Sequence, residues 1–190
     1  MASEGKLRAE VTVEAGRTHS ETLLSHIEGA LSFAGVERSA LRGVAVSIGP
    51  GSFTGLRIGL ATAKAIAYGL GIPLVGVSTL AALALAFPVP DVYTLVLMDA
   101  QKGNAYAGLY EWRDESLHEV RPVRVAPLAE AIAEAAELGK PVLLTGELVL
   151  KKRARLENLP ENVTLAPAHL LTARASHAAW LGLARLAAGE

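Results

Sequence analysis

The segment Gly49-Pro50-Gly51-Ser52-Phe53-Thr54-Gly55-Leu56-Arg57 constrains the fold of this chain more than any other. Before it, Gly43-Val44-Ala45-Val46-Ser47-Ile48 is a short, mostly apolar run that reads as a buried strand. After it, a helix is expected from about Leu56 to Tyr68, closed by Gly69 and Gly71. Strand, glycine loop and helix in that order form a βα unit, the building block of α/β folds. The glycines let a phosphate or another backbone approach closely. Four known chemistries can be tested against the spacing. A P-loop needs Gly, Lys and then Ser or Thr, whereas Gly55 is followed by Leu56 and Arg57. A nucleophile elbow needs Gly two residues before Ser, and Pro50 stands there. The dinucleotide fingerprint misses by one residue, and its acidic ribose partner is absent. Residues 38 to 90 hold no Asp or Glu, so this half supplies neither a carboxylate for Mg²⁺ nor a general base. Two readings of the loop stand: a tight strand-to-helix turn, or a weak anion site worth roughly 0.3–1 kcal/mol at an exposed helix N-terminus.

The rest of the chain alternates in the same grammar. Leu7 to Glu14 alternates apolar and polar residues and reads as a half-exposed strand. Thr18 and Glu21 frame a capping box for a helix that carries Leu23, Leu24, Ile27, Ala30, Leu31 and Ala34 and ends near Gly35. Further strands are expected at residues 73–77, 92–98, 105–112, 117–125, 141–145 and 163–165, with helices at 80–86, 127–138, 147–156 and 176–188. The three strands between 92 and 125, joined by polar turns, read as an antiparallel meander. Phe87-Pro88-Val89-Pro90 reads as a linker, which places a first lobe at 1–87 and a second at 91–190.

Composition removes several function classes. Lys plus Arg is 18 and Asp plus Glu is 19, giving a net charge of −1, which argues against a dedicated cationic nucleic-acid module. With 51% hydrophobic residues the chain can bury a sizeable core. With no cysteine it has no disulfide scaffold, Cys-ligated zinc or thiol nucleophile. Residues 65 to 90 carry no charge, but Gly69, Gly71, Pro73 and Gly76 break them, so no membrane span is expected.

Individual residues carry weaker signals. The helix after the glycine loop has few hydrophilic residues, Arg57, Thr62 and Lys64, and is expected to be buried on all sides, by a partner chain or by the second lobe. Asp99 ends a strand and begins a turn; it reads either as an Asx-turn or as a carboxylate facing phosphate or metal. The five histidines form no His-x-x-x-His pair, so no metal site is expected. Lys151-Lys152-Arg153-Ala154-Arg155 is a dense basic run, read as solvated surface with contact to nucleic-acid phosphates as the alternative.

At the glycine loop the chain resembles the TsaB family, formerly YeaZ. The resemblance rests on Gly49 through Gly59, then Ala61-Thr62-Ala63-Lys64 and Gly71 through Ser78. Gly16-Arg17-Thr18-His19-Ser20-Glu21 is similar to the family's Arg-Arg-His-Ser-Glu helix start, and Asp99-Ala100 with Gly103 to Tyr106 is similar to its Asp-Ala-Arg-x-Gly-Glu-Val-Tyr segment. Gln101 stands where the family usually has Arg, and Asn104 where it has Glu. The family opens with further strands and an Asp-Thr-Ser/Thr turn ahead of the segment matching Leu7, so an N-terminally shortened first lobe is expected, and its C-terminal tail is expected to be missing after Glu190.

The resemblance implies an α/β fold of the actin, sugar kinase and Hsp70 (ASKHA) type with two ribonuclease-H-like lobes. It implies a cytoplasmic, non-catalytic partner of TsaD in forming threonylcarbamoyladenosine beside the tRNA anticodon. ATP and metal would then sit on the partner proteins, TsaD and the TsaE ATPase, and tRNA would be met through the complex. Pairing with TsaD, or with a second copy as a homodimer, would use the first lobe's helices. The expected interface residues are Arg17, His19, Leu23, Arg57, Leu60 and Lys64. The expected anion or nucleotide contacts are Gly49, Gly51, Ser52, Thr54, Gly55 and Asp99, with no catalytic residue and no metal ligand. The alternative is a nucleotide-binding, small-molecule-kinase-like protein of the same fold, which would need paired carboxylates.

Overall fold

The computed structural model describes residues 1–3, 5–13 and 19–189. The chain forms two compact units, Met1–Thr79 with Arg174–Glu190, and Leu80–Ala173.

In the first unit, β1 (Ala2–Ser3) and β2 (Lys6–Leu7) make a short hairpin. Then come α1 (His19–Ala34), β3 (Val44–Ser47), α2 (Phe53–Leu70), β4 (Leu74–Val77) and, from the far end of the chain, α6 (Ala175–Ala187). Gly35 takes φ 63° just past α1, the left-handed turn that the sequence places there. β3 and β4 pair in parallel, Val44 opposite Leu74 through Ser47 opposite Val77. Both α2 and α6 pack on β3. α6 comes close because Gly182 has no side chain: a Cβ there would lie 2.5 Å from that of Ala45.

The alternating segment Leu7–Glu14 is not a strand beyond Leu7 among the described residues. Alternation marks a strand only where a neighbour supplies a ladder. Here the Glu10 carboxylate instead accepts from the Ser176 backbone N–H at 2.8 Å, at the start of α6, and from Arg174 Nε at 3.0 Å. Burial alone pushes the Glu10 carboxyl up, but the bonds from Ser176 and the Arg174 guanidinium outweigh it and hold it below its usual value. The capping residue Thr18 lies outside the described residues.

The second unit holds one five-stranded sheet in the order β7-β6-β5-β8-β9. β5 (Tyr93–Asp99), β6 (Asn104–Arg113) and β7 (Ser116–Pro127) form the expected antiparallel meander, while β8 (Val142–Thr145) and β9 (Val163–Leu165) add in parallel. α4 (Leu128–Ala136) and α5 (Glu147–Lys152) cover one face over Leu95, Leu97, Leu109 and Leu144. α3 (Thr79–Ala84) brings Leu80 and Leu83 against Val96, Met98 and Tyr110. Parallel strands buried on both faces read as continuous apolar runs, which is why β5 was legible.

The units differ from the expected lobes 1–87 and 91–190 at both ends. Phe87 is not in an open linker; it is buried in the second unit's core. The last helix belongs to the first unit, because Gly182 seats it on β3 and Glu10 caps its start. No described helix is long and apolar enough to cross a membrane.

Candidate partner-binding face

α2 begins three residues earlier than the spacing predicts. Ser52 is its N-cap: the hydroxyl oxygen accepts from the Gly55 N–H at 3.3 Å, and the Ser52 carbonyl accepts from Leu56 N–H at 2.8 Å. Phe53, Thr54 and Gly55 are therefore the first turn of the helix, not loop. Gly69 lies inside the helix, and Gly71, at φ 64°, ends it.

The helix is not buried on all sides. Ala63 and Ala67 are buried, while Leu56, Ile58, Leu60 and Ile66 are half-buried. The packing within the unit, on β3, β4 and α1, occupies one side of the helix. The opposite side carries Phe53, Arg57, Ala61, Lys64 and Tyr68, all exposed. At 3.6 residues per turn these five fall on one stripe. Aromatic rings stand at both ends, Phe53 73% and Tyr68 92% exposed, with two cations between them. The Arg57 guanidinium lies over the Phe53 ring, 5.4 Å from its centroid. The residues of α1 add exposed Leu24 and Phe33, the latter 79% exposed.

The predicted interface residues divide accordingly. Arg57 and Lys64 sit on the α2 stripe, with Leu60 half-buried at its border. Leu23 is half-buried on α1, and His19 opens that helix. Arg17 lies outside the described residues. Phe53, Tyr68 and Phe33 are not among those predicted residues. A helical wheel started at Phe53 instead of Leu56 would have shown the first two together.

Gly49, Gly51, Ser52, Thr54 and Gly55 gather at the start of α2, where Ser52 caps the helix through the Gly55 N–H. Gly49 takes φ 110°, and its carbonyl accepts from Thr79 N–H at 3.0 Å, which holds the loop to the end of β4. Asp99 belongs to the second unit, where its exposed Oδ1 accepts from Gln101 N–H at 2.8 Å, the Asx-turn arrangement. In the basic run, Lys151 pairs with Glu147 at 2.5 Å, which raises its pKa, and Arg153 donates to the Ala166 carbonyl at 2.8 Å. Among the described residues no group of three His, Asp or Glu side chains is placed to hold a metal.

The chain is similar to known proteins over most of its length. A family model described as TsaD, tRNA N6-adenosine threonylcarbamoyltransferase, matches residues 11–179. The tRNA threonylcarbamoyladenosine biosynthesis protein TsaB of Bacillus subtilis is 32% identical over 143 residues, 75% of this chain and 62% of that protein. The tRNA N6-adenosine threonylcarbamoyltransferase of Geotalea daltonii is 39% identical over 97 residues, 51% of this chain and 28% of that protein. The chain thus spans less than two thirds of these relatives' length. The solved structure of YeaZ from Pseudomonas aeruginosa superposes with a TM-score of 0.72 at 26% identity, covering 90% of this chain and 79% of that one.

Proposed function

The chain belongs to the TsaD family as one of its TsaB (YeaZ) type members, with the mixed α/β, actin-like fold expected of them, and we propose that it is a non-catalytic accessory subunit in the formation of threonylcarbamoyladenosine in tRNA. It pairs with a TsaD-like protein that carries the metal and performs the transfer, alongside a TsaE-like ATPase, and reaches tRNA only through that assembly in the cytoplasm. The observation that carries the reading is the α2 stripe. Phe53 and Tyr68 stand in solvent at either end of Arg57 and Lys64, on a helix with no acidic residue. Exposed aromatics with Arg are the residue types that dominate protein interfaces. The cations steer an acidic partner surface and set register. The same stripe serves self-association when the partner is absent.

Size-exclusion chromatography with light scattering tests this, on the full chain alone and mixed with the TsaD-like protein of the same source. A stable one-to-one complex is expected, weakened by the double substitution Arg57→Glu and Lys64→Glu. A well-folded chain that forms no complex refutes the accessory role.

A further inference from the structure

Arg57 and Lys64 are the two charges of the α2 stripe, and residues 38 to 90 hold no Asp or Glu to offset them. Neither has a carboxylate partner among the described residues. The acidic side chain described on the neighbouring α1, Glu28, is already paired with Arg38 at 2.7 Å. The order of the stripe is also symmetric. Phe53 and Tyr68 stand equally far from its midpoint, between Leu60 and Ala61, and so do Arg57 and Lys64. Two copies joined through this stripe about a two-fold axis therefore meet cation to cation. If the helices run antiparallel, Arg57 faces Lys64 of the second copy. If they run parallel, each cation faces its own counterpart.

We propose, building on the accessory role above, that Arg57 and Lys64 are the specificity-determining residues of this face and select an acidic partner over a second copy of the chain. The aromatic ends offer contact area to either occupant. The cations decide between the two, because like charges set opposite each other oppose association while carboxylates favour it. Seven residues separate Arg57 from Lys64, so the fitting surface on the TsaD-like protein presents two carboxylates about 10 Å apart. Arg57 is already held over the Phe53 ring, which limits the freedom it loses on meeting a carboxylate. Self-association through the stripe is thereby kept weak enough for the partner to displace it.

Salt separates the two occupants, because the screening length falls from about 10 Å at about 0.1 M to about 3 Å at about 1 M. Sedimentation velocity reads self-association of the full chain at both salts, and titration calorimetry reads its complex with the TsaD-like protein of the same source. With rising salt, self-association is expected to strengthen at least about threefold and the complex to weaken at least about threefold. The double substitution Arg57→Gln and Lys64→Gln, at two exposed positions, should at low salt strengthen self-association and weaken the complex, each by about threefold or more. It should also flatten both salt dependences. Side chains that merely packed would move both constants the same way. Constants that move together or stay unchanged, or self-association absent from parent and variant alike, overturn the proposal. A chain that binds no TsaD-like protein at either salt refutes the accessory role, and selection by charge with it. A complex that salt strengthens leaves the accessory role standing and refutes selection by charge alone.

Discussion

Tyr68→Ala isolates the α2 stripe from the stability of the chain that carries it. The side chain is 92% exposed, so truncation removes almost no intramolecular packing, and the stability of the free chain, measured dilute enough to be monomeric, should hold within the ±0.5 kcal/mol usual for surface positions. In a complex the situation reverses. An aromatic side chain at an interface buries about 150–250 Å², of which about 120 Å² disappears with the ring. At ~25 cal/mol per Å² that is about 3 kcal/mol. Each 1.4 kcal/mol is tenfold in Kd, so affinity for the TsaD-like protein should fall by about 100-fold. Titration calorimetry on parent and variant, with a thermal melt of each free chain, reads both quantities. A Kd within about threefold of the parent at an unchanged melt would show that Tyr68 stays in solvent in the complex, and the stripe would lose its place as the partner-binding face.

Three further substitutions probe the frame behind that face. Gly146, at φ 107°, has the Leu97 carbonyl where a Cβ would go; Gly146→Ala should cost about 3 kcal/mol or more and lower the melting temperature by about 6–12 °C in a scanning calorimeter. Glu10 is held below its usual pKa, so its stabilisation is fully present above the ordinary glutamate value near ~4.3 and is lost as pH falls through the lower folded value. Acid melts of Glu10→Gln should lack that part of the parent's slope below about pH 4.3, while hydrogen exchange at α6 rises. The largely buried Glu111 carboxylate is hydrogen-bonded by Lys140 Nζ, a bond that raises the lysine's pKa. Lys140→Met leaves that carboxylate without its cation, whereas Glu111→Gln leaves an acceptor for the ammonium, so the melting temperature should fall further for Lys140→Met.

The second unit was legible almost strand by strand. β5 is an unbroken apolar run, and β6 and β7 alternate around turns rich in polar residues and glycine, so local pattern and tertiary position agree there. α1 and α2 were legible as helices for the same reason, down to the glycines that end them. The glycine loop was legible as a strand-to-helix turn, although Ser52 starts the helix earlier than its apolar pattern does. A cap depends on a single hydroxyl reaching one N–H, which hydrophobic spacing does not encode.

Local sequence thus determined which segments are helix or strand, where glycine must stand, and the α/β class, because those follow from contacts between residues a few positions apart. Tertiary structure alone decided the rest. Leu7–Glu14 has the alternation of a strand, but Glu10 is drawn to Ser176 and Arg174 across most of the chain's length. α6 reads as the end of the second lobe and returns to the first, because Gly182 fits against Ala45. α2 reads as buried all round and shows one stripe to solvent, because apolar content states what a helix can bury and only the neighbouring elements decide how much of it they cover.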